Sequence, residues 1–258
     1  MAKFKQFARH WIMAFLYPRP LIGIFFLPRY LLHWVRLARK AGPKQRMKLM
    51  DAQPCLGDWT THTPFDAHYF FQGAWLARAL TRNSPFQHTD IGSSVLTVSV
   101  LSGFVDTTFV DYRPIKVDLP GLNPLPGNIL DLPFADGSVS SLSCLHVVEH
   151  IGLGRYGDPI DPEGSRKALK ELERVVTPGG KLFLSVPVGI ERVCFNAHRV
   201  FAPESILATL GMMTLISFSL VDDDGRFKPD CAISEAAGLD YGCGMFVMEK
   251  RANDALTS

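Results

Sequence analysis

The residues best suited to chemistry lie at the ends of two predicted strands. The first strand ends in Asp90 and is followed by Gly92 and two serines, a turn that lets the backbone approach a ligand closely. The second strand ends in Asp111, 21 residues after Asp90, a spacing that fits a carboxylate accepting hydrogen bonds from a ribose diol. Because open α/β sheets bind ligands at the carboxyl ends of their strands, this pattern predicts a ligand site there.

Further along the chain, polar residues stand beside turns in two more segments. Residues 127–138 have the sequence GNILDLPFADGS, and residues 145–150, after another predicted strand, have the sequence LHVVEH. A helix then ends in the sequence LERVVTPGGKL at residues 172–182, where the chain re-enters the sheet. The fixed order of all these segments is more specific than any one of them.

In this order the segments resemble the class I S-adenosylmethionine-dependent methyltransferases, in the branch that acts on small molecules. The strongest parts are LPFADGS, VVEHI and ELERVVTPGGKLFLSVP, and residues 152–159 and 195–199 are similar to a poorly characterised subgroup. The resemblance implies an α/β fold: a Rossmann-like, doubly wound and mostly parallel seven-stranded sheet with an antiparallel last strand. It also implies S-adenosylmethionine as the cofactor.

The resemblance assigns roles to individual residues. The turn at Gly92 would hold the methionine part of the cofactor, Asp111 would take the ribose hydroxyls and Tyr112 would lie beside the adenine. Asn128 stands where the family has an adenine-contacting acid, and the end of the next strand would border the reacting methyl group. The predicted cofactor-binding residues are Asp90, Gly92, Ser93, Asp111, Tyr112, Asn128, Ile129, Cys144 and Leu145.

The sequence departs from the family pattern at two places. The usual Gly-x-Gly-x-Gly is here Gly92-Ser93-Ser94-Val95-Leu96, which leaves less room for a ligand, and Asn128 lacks the charge of the acid that it replaces. These departures keep open an alternative from another class, a non-catalytic, membrane-associated scaffold with a degraded methyltransferase fold.

Methyl transfer to a hydroxyl needs a base, and histidine suits that task near neutral pH. We predict His146 as the first catalytic candidate because of its place at a strand end, followed by His150. His198 and Arg199 are predicted either to bind an anionic group of the substrate or to hold a loop. No metal-ligand spacing is present, so the sequence predicts no metal site.

The elements that must position these residues alternate between short apolar runs and amphipathic stretches, which is typical of βα units. Helices are predicted at residues 65–80 and 162–176, the second with Asp161 as its N-cap. A short strand is expected at residues 116–117 or 127–130. The main strands are predicted at residues 87–91, 107–111, 140–145, 181–187, 214–221 and 244–249.

Charge divides the chain into two parts. Residues 1–48 contain 11 Lys and Arg and no acid, which leaves 16 basic and 25 acidic residues, a net charge of −9, for residues 49–258. We predict a basic helical segment over 1–48, a connector over 49–64 and a methyltransferase-like domain over 65–258. The five scattered cysteines indicate reduced thiols and a cytoplasmic location.

Within the basic segment, apolar residues recur at helical spacing over residues 4–16 and 31–38. Prolines at 18, 20 and 28 are expected to end helices, and the prolines and charges argue against a membrane span. We predict that the segment lies on an anionic membrane surface. A cap on the core or a dimer contact is the alternative, and interleaved aliphatic residues argue against nucleic acid.

The sequence therefore predicts a methyltransferase at the cytoplasmic face of the membrane. Its acceptor would be a small molecule, sugar or lipid-linked glycan, methylated on oxygen. The oligomeric state is left open by the sequence.

Overall fold

The computed structural model describes residues 20–252. Contacts divide the chain into two compact units, with the boundary between Phe65 and Asp66.

Within residues 20–65 of the first unit, a long helix, α1 (Pro20–Lys40), is followed by 3-10 turns at Pro43–Gln45 and Leu49–Asp51. The expectation that Pro28 ends a helix was wrong, because α1 runs through it. A proline inside a helix removes one backbone hydrogen bond, which a helix of 21 residues tolerates. The helix predicted over residues 4–16 lies outside the described residues. Among residues 20–252, no helix combines the length and the apolar character needed to cross a membrane.

The second unit alternates strands and helices. Its helices are α2 (Ala67–Asn83), α3 (Val95–Leu101), α4 (Gly164–Val175) and α5 (Pro203–Thr209). Its strands are β1 (Gln87–Ile91), β2 (Asp106–Asp111), β3 (Leu122–Pro126), β4 (Val139–Leu145), β5 (Val176–Val188), β6 (Arg192–Cys194), β7 (His198–Val200), β8 (Met213–Val221), β9 (Phe227–Lys228) and β10 (Gly242–Lys250).

Eight of these strands form one sheet in the order β3-β2-β1-β4-β5-β10-β8-β9. The pairs from β3 to β5 are parallel, whereas β10 runs antiparallel to both β5 and β8. The predicted α/β class with a mostly parallel sheet and an antiparallel last strand is confirmed. The two-residue β9 adds an eighth strand beyond the seven predicted, and β6 and β7 form a separate hairpin.

Helices cover both faces of the sheet because side chains alternate along each strand. On β5, Leu182 and Leu184 belong to the same buried cluster as Leu172 of α4. Phe183, between them, belongs to the cluster around Trp75 of α2. This alternation makes the sheet doubly wound.

Two predicted elements differ from the observed ones. The short strand lies at Leu122–Pro126, not at 116–117 or 127–130, because a strand at the sheet edge tolerates its two prolines. Helix α4 begins at Gly164 with Glu163 as its N-cap. Asp161 instead accepts the backbone N–H of Glu163 at 3.0 Å in the turn before the helix.

Arg174, near the end of α4, fixes the LPFADGS turn. Its guanidinium donates to the backbone oxygen of Phe134 at 2.9 Å, to the Asp136 carboxylate at 2.6 Å and to the Glu171 carboxylate at 2.7 Å. These contacts explain why the LPFADGS segment and the ELERVV segment, which contains Arg174, occur together in the sequence.

Candidate functional site

A buried hydrogen-bond network holds the end of β1 against β4. Asp90, which is fully buried, accepts the Ser93 N–H at 3.0 Å and the hydroxyl of Ser143. His88 contacts the Ser141 and Ser143 hydroxyls at 2.8 Å each. Because Ser143 donates its proton to Asp90, it must accept from His88 Nε2–H, and Nδ1 then accepts from Ser141.

Burial shifts both ionisable groups of this network toward their neutral forms. It raises the pKa of Asp90 to about 6, although hydrogen bonds from Ser143 and Ser93 oppose the rise. It lowers the pKa of His88 to about 3, so this imidazole is neutral at physiological pH. The network is therefore buried, and its hydrogen bonds support the turn after β1 from inside the protein.

A cavity of about 220 Å³, here called the strand-end cavity, opens at the carboxyl ends of β1, β2 and β4. It is lined by Ile91, Gly92, Val110, Asp111, Tyr112, Arg113, Gly127, Asn128, Ile129, Leu130, His146, Val147, His150, Ile151, Tyr156, Asp158 and Pro159.

The cavity brings together some of the predicted cofactor-binding residues. Five of the nine line it: Gly92, Asp111, Tyr112, Asn128 and Ile129. Four are buried and are not part of its lining: Asp90, Ser93, Cys144 and Leu145. The Ser93 hydroxyl accepts the Leu145 N–H at 3.0 Å, so this serine joins the turn to β4.

The altered glycine turn leaves the cavity open. Gly92 has φ +66°, and a Cβ added there would meet Val147 methyl groups at 3.3 and 3.4 Å, so glycine suits this position. Val95 and Leu96 are exposed on α3 and do not line the cavity. The side chains that replace the family's later glycines therefore do not fill the cavity.

Asp111 and Asn128 each use one side-chain oxygen in a local turn. Asp111 Oδ1 accepts the Arg113 N–H at 2.6 Å, and Asn128 Oδ1 accepts the Leu130 N–H at 3.0 Å. Asp111 Oδ2 lies 4.0 Å from where a Cβ of Gly92 would stand, so the carboxylate faces the turn after β1. Asp111 Oδ2, which faces that turn, is placed to accept a hydrogen bond from a ligand hydroxyl.

A second cavity of about 280 Å³, here called the histidine cavity, adjoins the first. The two share His146, His150 and Tyr156 in their linings. The histidine cavity is lined by Asp66, His68, Tyr69, His146, Glu149, His150, Arg155, Tyr156, Ala197, His198 and Tyr241.

His146 stands at the end of β4 with the uncommon φ of +53°. Its Nδ1 lies 2.8 Å from Glu149 Oε1, and its Nε2 lies 3.3 Å from Cys243 Sγ. Burial opposes the charged form of His146, but Glu149 and Cys243 outweigh that effect and raise its pKa to about 10. A protonated imidazole is a poor general base, which counts against the predicted order of the catalytic candidates.

His150 lies where the two cavities meet, with its Nε2 3.7 Å from Glu149 Oε1. Its Nδ1 lies 2.6 Å from the Ala197 carbonyl oxygen and therefore donates, which leaves the lone pair on Nε2. Burial lowers its pKa although the Glu149 charge opposes this, so the neutral form prevails. Arg155 donates to the same Ala197 oxygen at 2.9 Å.

His198 and Arg199 are adjacent in sequence but occupy different surroundings. His198 lines the histidine cavity and packs on Tyr241, with ring centroids 4.8 Å apart. Arg199 is buried and donates to Ile151 O at 2.6 Å and Ser165 Oγ at 2.8 Å. It also donates to the backbone of Asp161 and Pro162. Its donors are used by the loop before α4, in line with the loop-holding alternative.

Among the sequence comparisons, one family model matches part of the chain. Residues 137–224 match the family described as Caenorhabditis protein of unknown function, DUF268. No curated protein matches the chain significantly.

Among solved structures, a putative sarcosine dimethylglycine methyltransferase from Galdieria sulphuraria is similar, with TM-score 0.50 and 12% identity over 70% of this chain and 85% of that one. The N-methyltransferase NodS from Bradyrhizobium japonicum, solved with S-adenosylhomocysteine, has TM-score 0.49 and 13% identity over 71% and 88%. The YcgJ protein from Bacillus subtilis has TM-score 0.49 and 14% identity over 71% and 99%.

The chain has the class I methyltransferase fold. In this methyltransferase fold the last strand, β10, runs antiparallel, so its first residues lie beside the carboxyl end of β5: Cys243 pairs with Pro187. Cys243 is thereby brought to the edge of the sheet that carries His146.

Several lining residues of the histidine cavity were not predicted as site residues. His68 and Tyr69 come from the start of α2, Tyr156 from the loop after β4, and Tyr241 from the residue before β10. The three segments that carry these residues are far apart in sequence and share no spacing, so no sequence pattern joined them. The first turn of α2 was a helix prediction that carried no functional signal.

Proposed function

We propose that this protein is an S-adenosylmethionine-dependent methyltransferase that methylates an oxygen of a hydroxylated small molecule, such as a sugar or lipid-linked glycan. The observation that carries the proposal is the junction of the strand-end cavity and the histidine cavity at His146, His150 and Tyr156. A methyltransferase needs two adjoining sites of this kind, because the methyl donor and the acceptor must meet end to end.

In this proposal the strand-end cavity holds the cofactor. The Asp111 carboxylate accepts hydrogen bonds from the ribose hydroxyls, as carboxylates at this position of α/β sheets do. Asn128 and Ile129 border the adenine, and Gly92 allows the methionine part to approach the backbone. The four predicted residues that do not line this cavity would support the cofactor site from behind.

The histidine cavity suits a polar acceptor with apolar ring faces. Tyr69, Tyr156 and Tyr241 supply aromatic surfaces, and His198, Arg155 and Glu149 supply donors and acceptors among them. Sugars present both kinds of surface, since their C–H faces pack on aromatic rings while their hydroxyls form hydrogen bonds. This composition supports a glycan or related polyol over an apolar acceptor.

The reaction is a displacement in line with the departing sulfur. The bound cofactor would supply an activated methyl group: the acceptor oxygen would bond to the methyl carbon, and the electron pair of the broken carbon–sulfur bond would stay on sulfur, giving S-adenosylhomocysteine. The hydroxyl proton would pass to His150 Nε2, which carries the lone pair because Nδ1 donates to Ala197 O. Glu149 Oε1, 3.7 Å from Nε2, would stabilise the imidazolium that forms. The protein mainly aligns the two reactants and excludes water.

Calorimetric titration of the full chain with S-adenosylhomocysteine tests the cofactor claim. We expect saturable binding that Asp111→Ala weakens about 10- to 150-fold, since hydrogen bonds to a charged group contribute about 1.5–3 kcal/mol. Asp106→Ala, at the other end of β2, is the matched control and should bind like wild type. Absence of heat and of a thermal shift at millimolar ligand would leave the non-catalytic scaffold as the better account.

We also infer that residues 1–48 attach the enzyme to an anionic membrane surface. On α1 large apolar and basic side chains are exposed together; they include Phe25, Leu32, Val35, Arg36 and Arg39. Such a surface can bury apolar groups among lipid headgroups while cations meet anionic lipid.

Flotation with phosphatidylserine-containing vesicles tests the attachment. Wild type should float with these vesicles, and less with vesicles of phosphatidylcholine alone. The double variant Arg36→Glu and Arg39→Glu should float less than wild type with the phosphatidylserine-containing vesicles. A protein that stays at the bottom of the gradient with both vesicles contradicts the inference.

A further inference from the structure

We propose that His68, His146 and Cys243 form a binding site for one divalent transition-metal ion of the zinc class, with an open position toward the histidine cavity. The ligand atoms of these three side chains all lie within 4.8 Å of one another. They are drawn from α2, the end of β4 and the start of β10. The site is thus assembled by the fold from segments that are distant in sequence.

The distances approach those of a tetrahedral zinc site. With Zn–N of about 2.0–2.1 Å and Zn–S of about 2.3 Å, neighbouring ligand atoms in a tetrahedron lie about 3.3–3.6 Å apart. His146 Nε2 and Cys243 Sγ are 3.3 Å apart. His68 is half-buried on the first turns of α2, and its ring stacks on that of His146 with centroids 5.5 Å apart. The other two pairs of ligand atoms lie within 4.8 Å, so binding of the ion would draw the three side chains together.

Glu149 provides the outer contact that metal-bound histidines usually have. Its Oε1 lies 2.8 Å from His146 Nδ1, so Nδ1 carries a proton and Nε2 points to Cys243. Carboxylate partners of this kind fix the ring and the tautomer in metal sites. The left-handed backbone of His146 holds the ring in this direction.

Glu149 also has a buried oxygen that its contacts with His146 and His150, both through Oε1, leave without a hydrogen bond. Its side chain is 1% exposed, and among the described residues its Oε2 has no hydrogen-bond partner. A buried carboxylate with an unpaired oxygen is costly unless a cation lies near. A divalent ion on His146 Nε2 would replace the proton of the imidazolium there and keep a positive charge beside this carboxylate.

The donor set and the cavity narrow the identity and role of the ion. Two imidazoles and a thiolate favour zinc, or cobalt as its substitute, over magnesium and calcium, which prefer oxygen. Three protein ligands and one open position are typical of catalytic zinc. Its role, which rests on the proposed function, is to bind the acceptor oxygen and make its proton easier to remove by His150.

Cobalt titration of the untagged, chelator-treated full chain tests the site. We expect one cobalt ion per chain, with the visible bands of a low-coordinate ion and a near-ultraviolet thiolate-to-cobalt band. Cys243→Ser should abolish the thiolate band, and His68→Asn should weaken binding at least about tenfold. Cys231→Ser, a half-buried cysteine outside the cluster, is the matched control and should bind as wild type does.

Each outcome decides the proposal. A missing thiolate band in wild type, or equal binding by wild type and Cys243→Ser, overturns it. Because Cys243 is fully buried, circular dichroism must show that its variant is folded, and the more exposed His68→Asn gives a second, independent reading. Calorimetry with S-adenosylhomocysteine on the same samples separates the two claims, since metal binding without cofactor binding would contradict only the proposed function.

Discussion

The strand-end cavity and the histidine cavity adjoin but are built in different ways. The first is lined mainly by short contiguous segments that follow parallel strands, such as residues 110–113 and 127–130. The second collects side chains from the start of α2, the end of β4, the β6–β7 hairpin and the residue before β10. The difference teaches that a fold family can fix where a cofactor binds while distant loops and helix ends decide what else the site accepts.

The largest expected effect concerns the support of the loop that both cavities share. Arg199→Met leaves four oxygen acceptors without their donor, at about 1 kcal/mol each, so we expect a loss of about 4 kcal/mol in the free energy of unfolding. Urea denaturation measures it. Arg192→Met on the paired strand removes a surface ion pair with Asp240 and should cost less than about 1 kcal/mol. Equal losses would show that Arg199 is not a structural support.

The second effect belongs to the network behind the strand-end cavity and depends on pH. Asp90 has a folded pKa of about 6 against 3.8 unfolded, so its contribution to stability is present below pH 3.8 and is lost as pH rises through 6. Relative to Asp90→Asn, wild type should therefore lose about 3 kcal/mol between pH 3.8 and pH 8. Denaturation of both proteins across this range measures it, and a constant difference contradicts the buried, raised pKa.

The sequence predicted much of the strand-end cavity and little of the histidine cavity. Strand β1 was predicted at its observed bounds, and Gly92 and Asp111 were placed together because their motifs follow neighbouring parallel strands. Asn128 was placed with them by the family resemblance alone. Strand β3 was misplaced since its prolines are tolerated at a sheet edge.

The histidine cavity was not predicted beyond the histidines of its own motifs. Cys243 lies beside His146 because β10 is antiparallel, so that the start of this strand lies at the edge where the parallel strands end. His68 reaches it from the first turn of α2. Neither position has a sequence signal, because tertiary packing and not local spacing brings them together.

The third effect, of a substitution at Glu149, is expected in one cavity and not in the other. Glu149→Gln keeps the shape of the side chain but removes its charge, so we expect cobalt affinity to fall about 10- to 100-fold. Affinity for S-adenosylhomocysteine should stay at the wild-type level. Glu163→Gln, an exposed carboxylate before α4, is the control. A loss of cofactor affinity with unchanged cobalt binding would reverse the assignment of the two cavities.

The smallest effect is expected at the glycine turn. Gly92→Ala puts a side chain at φ +66°, at a cost of about 1–2 kcal/mol, with its Cβ 3.3 Å from Val147. Gly179→Ala at φ +74° carries the same backbone cost but has no atom within 4 Å of its Cβ. Thermal unfolding should shift similarly in both, whereas calorimetry should detect weaker S-adenosylhomocysteine binding in Gly92→Ala alone. Equal cofactor affinity in both variants would separate the turn from the cofactor.

A crystal structure of the full chain with S-adenosylhomocysteine tests most directly whether the two cavities are halves of one active site. The account predicts the ribose hydroxyls on the Asp111 carboxylate and the sulfur directed toward His146, His150 and Tyr156, where the cavities meet. A cofactor product bound with its sulfur turned away from that junction, or bound outside the strand-end cavity, would contradict it.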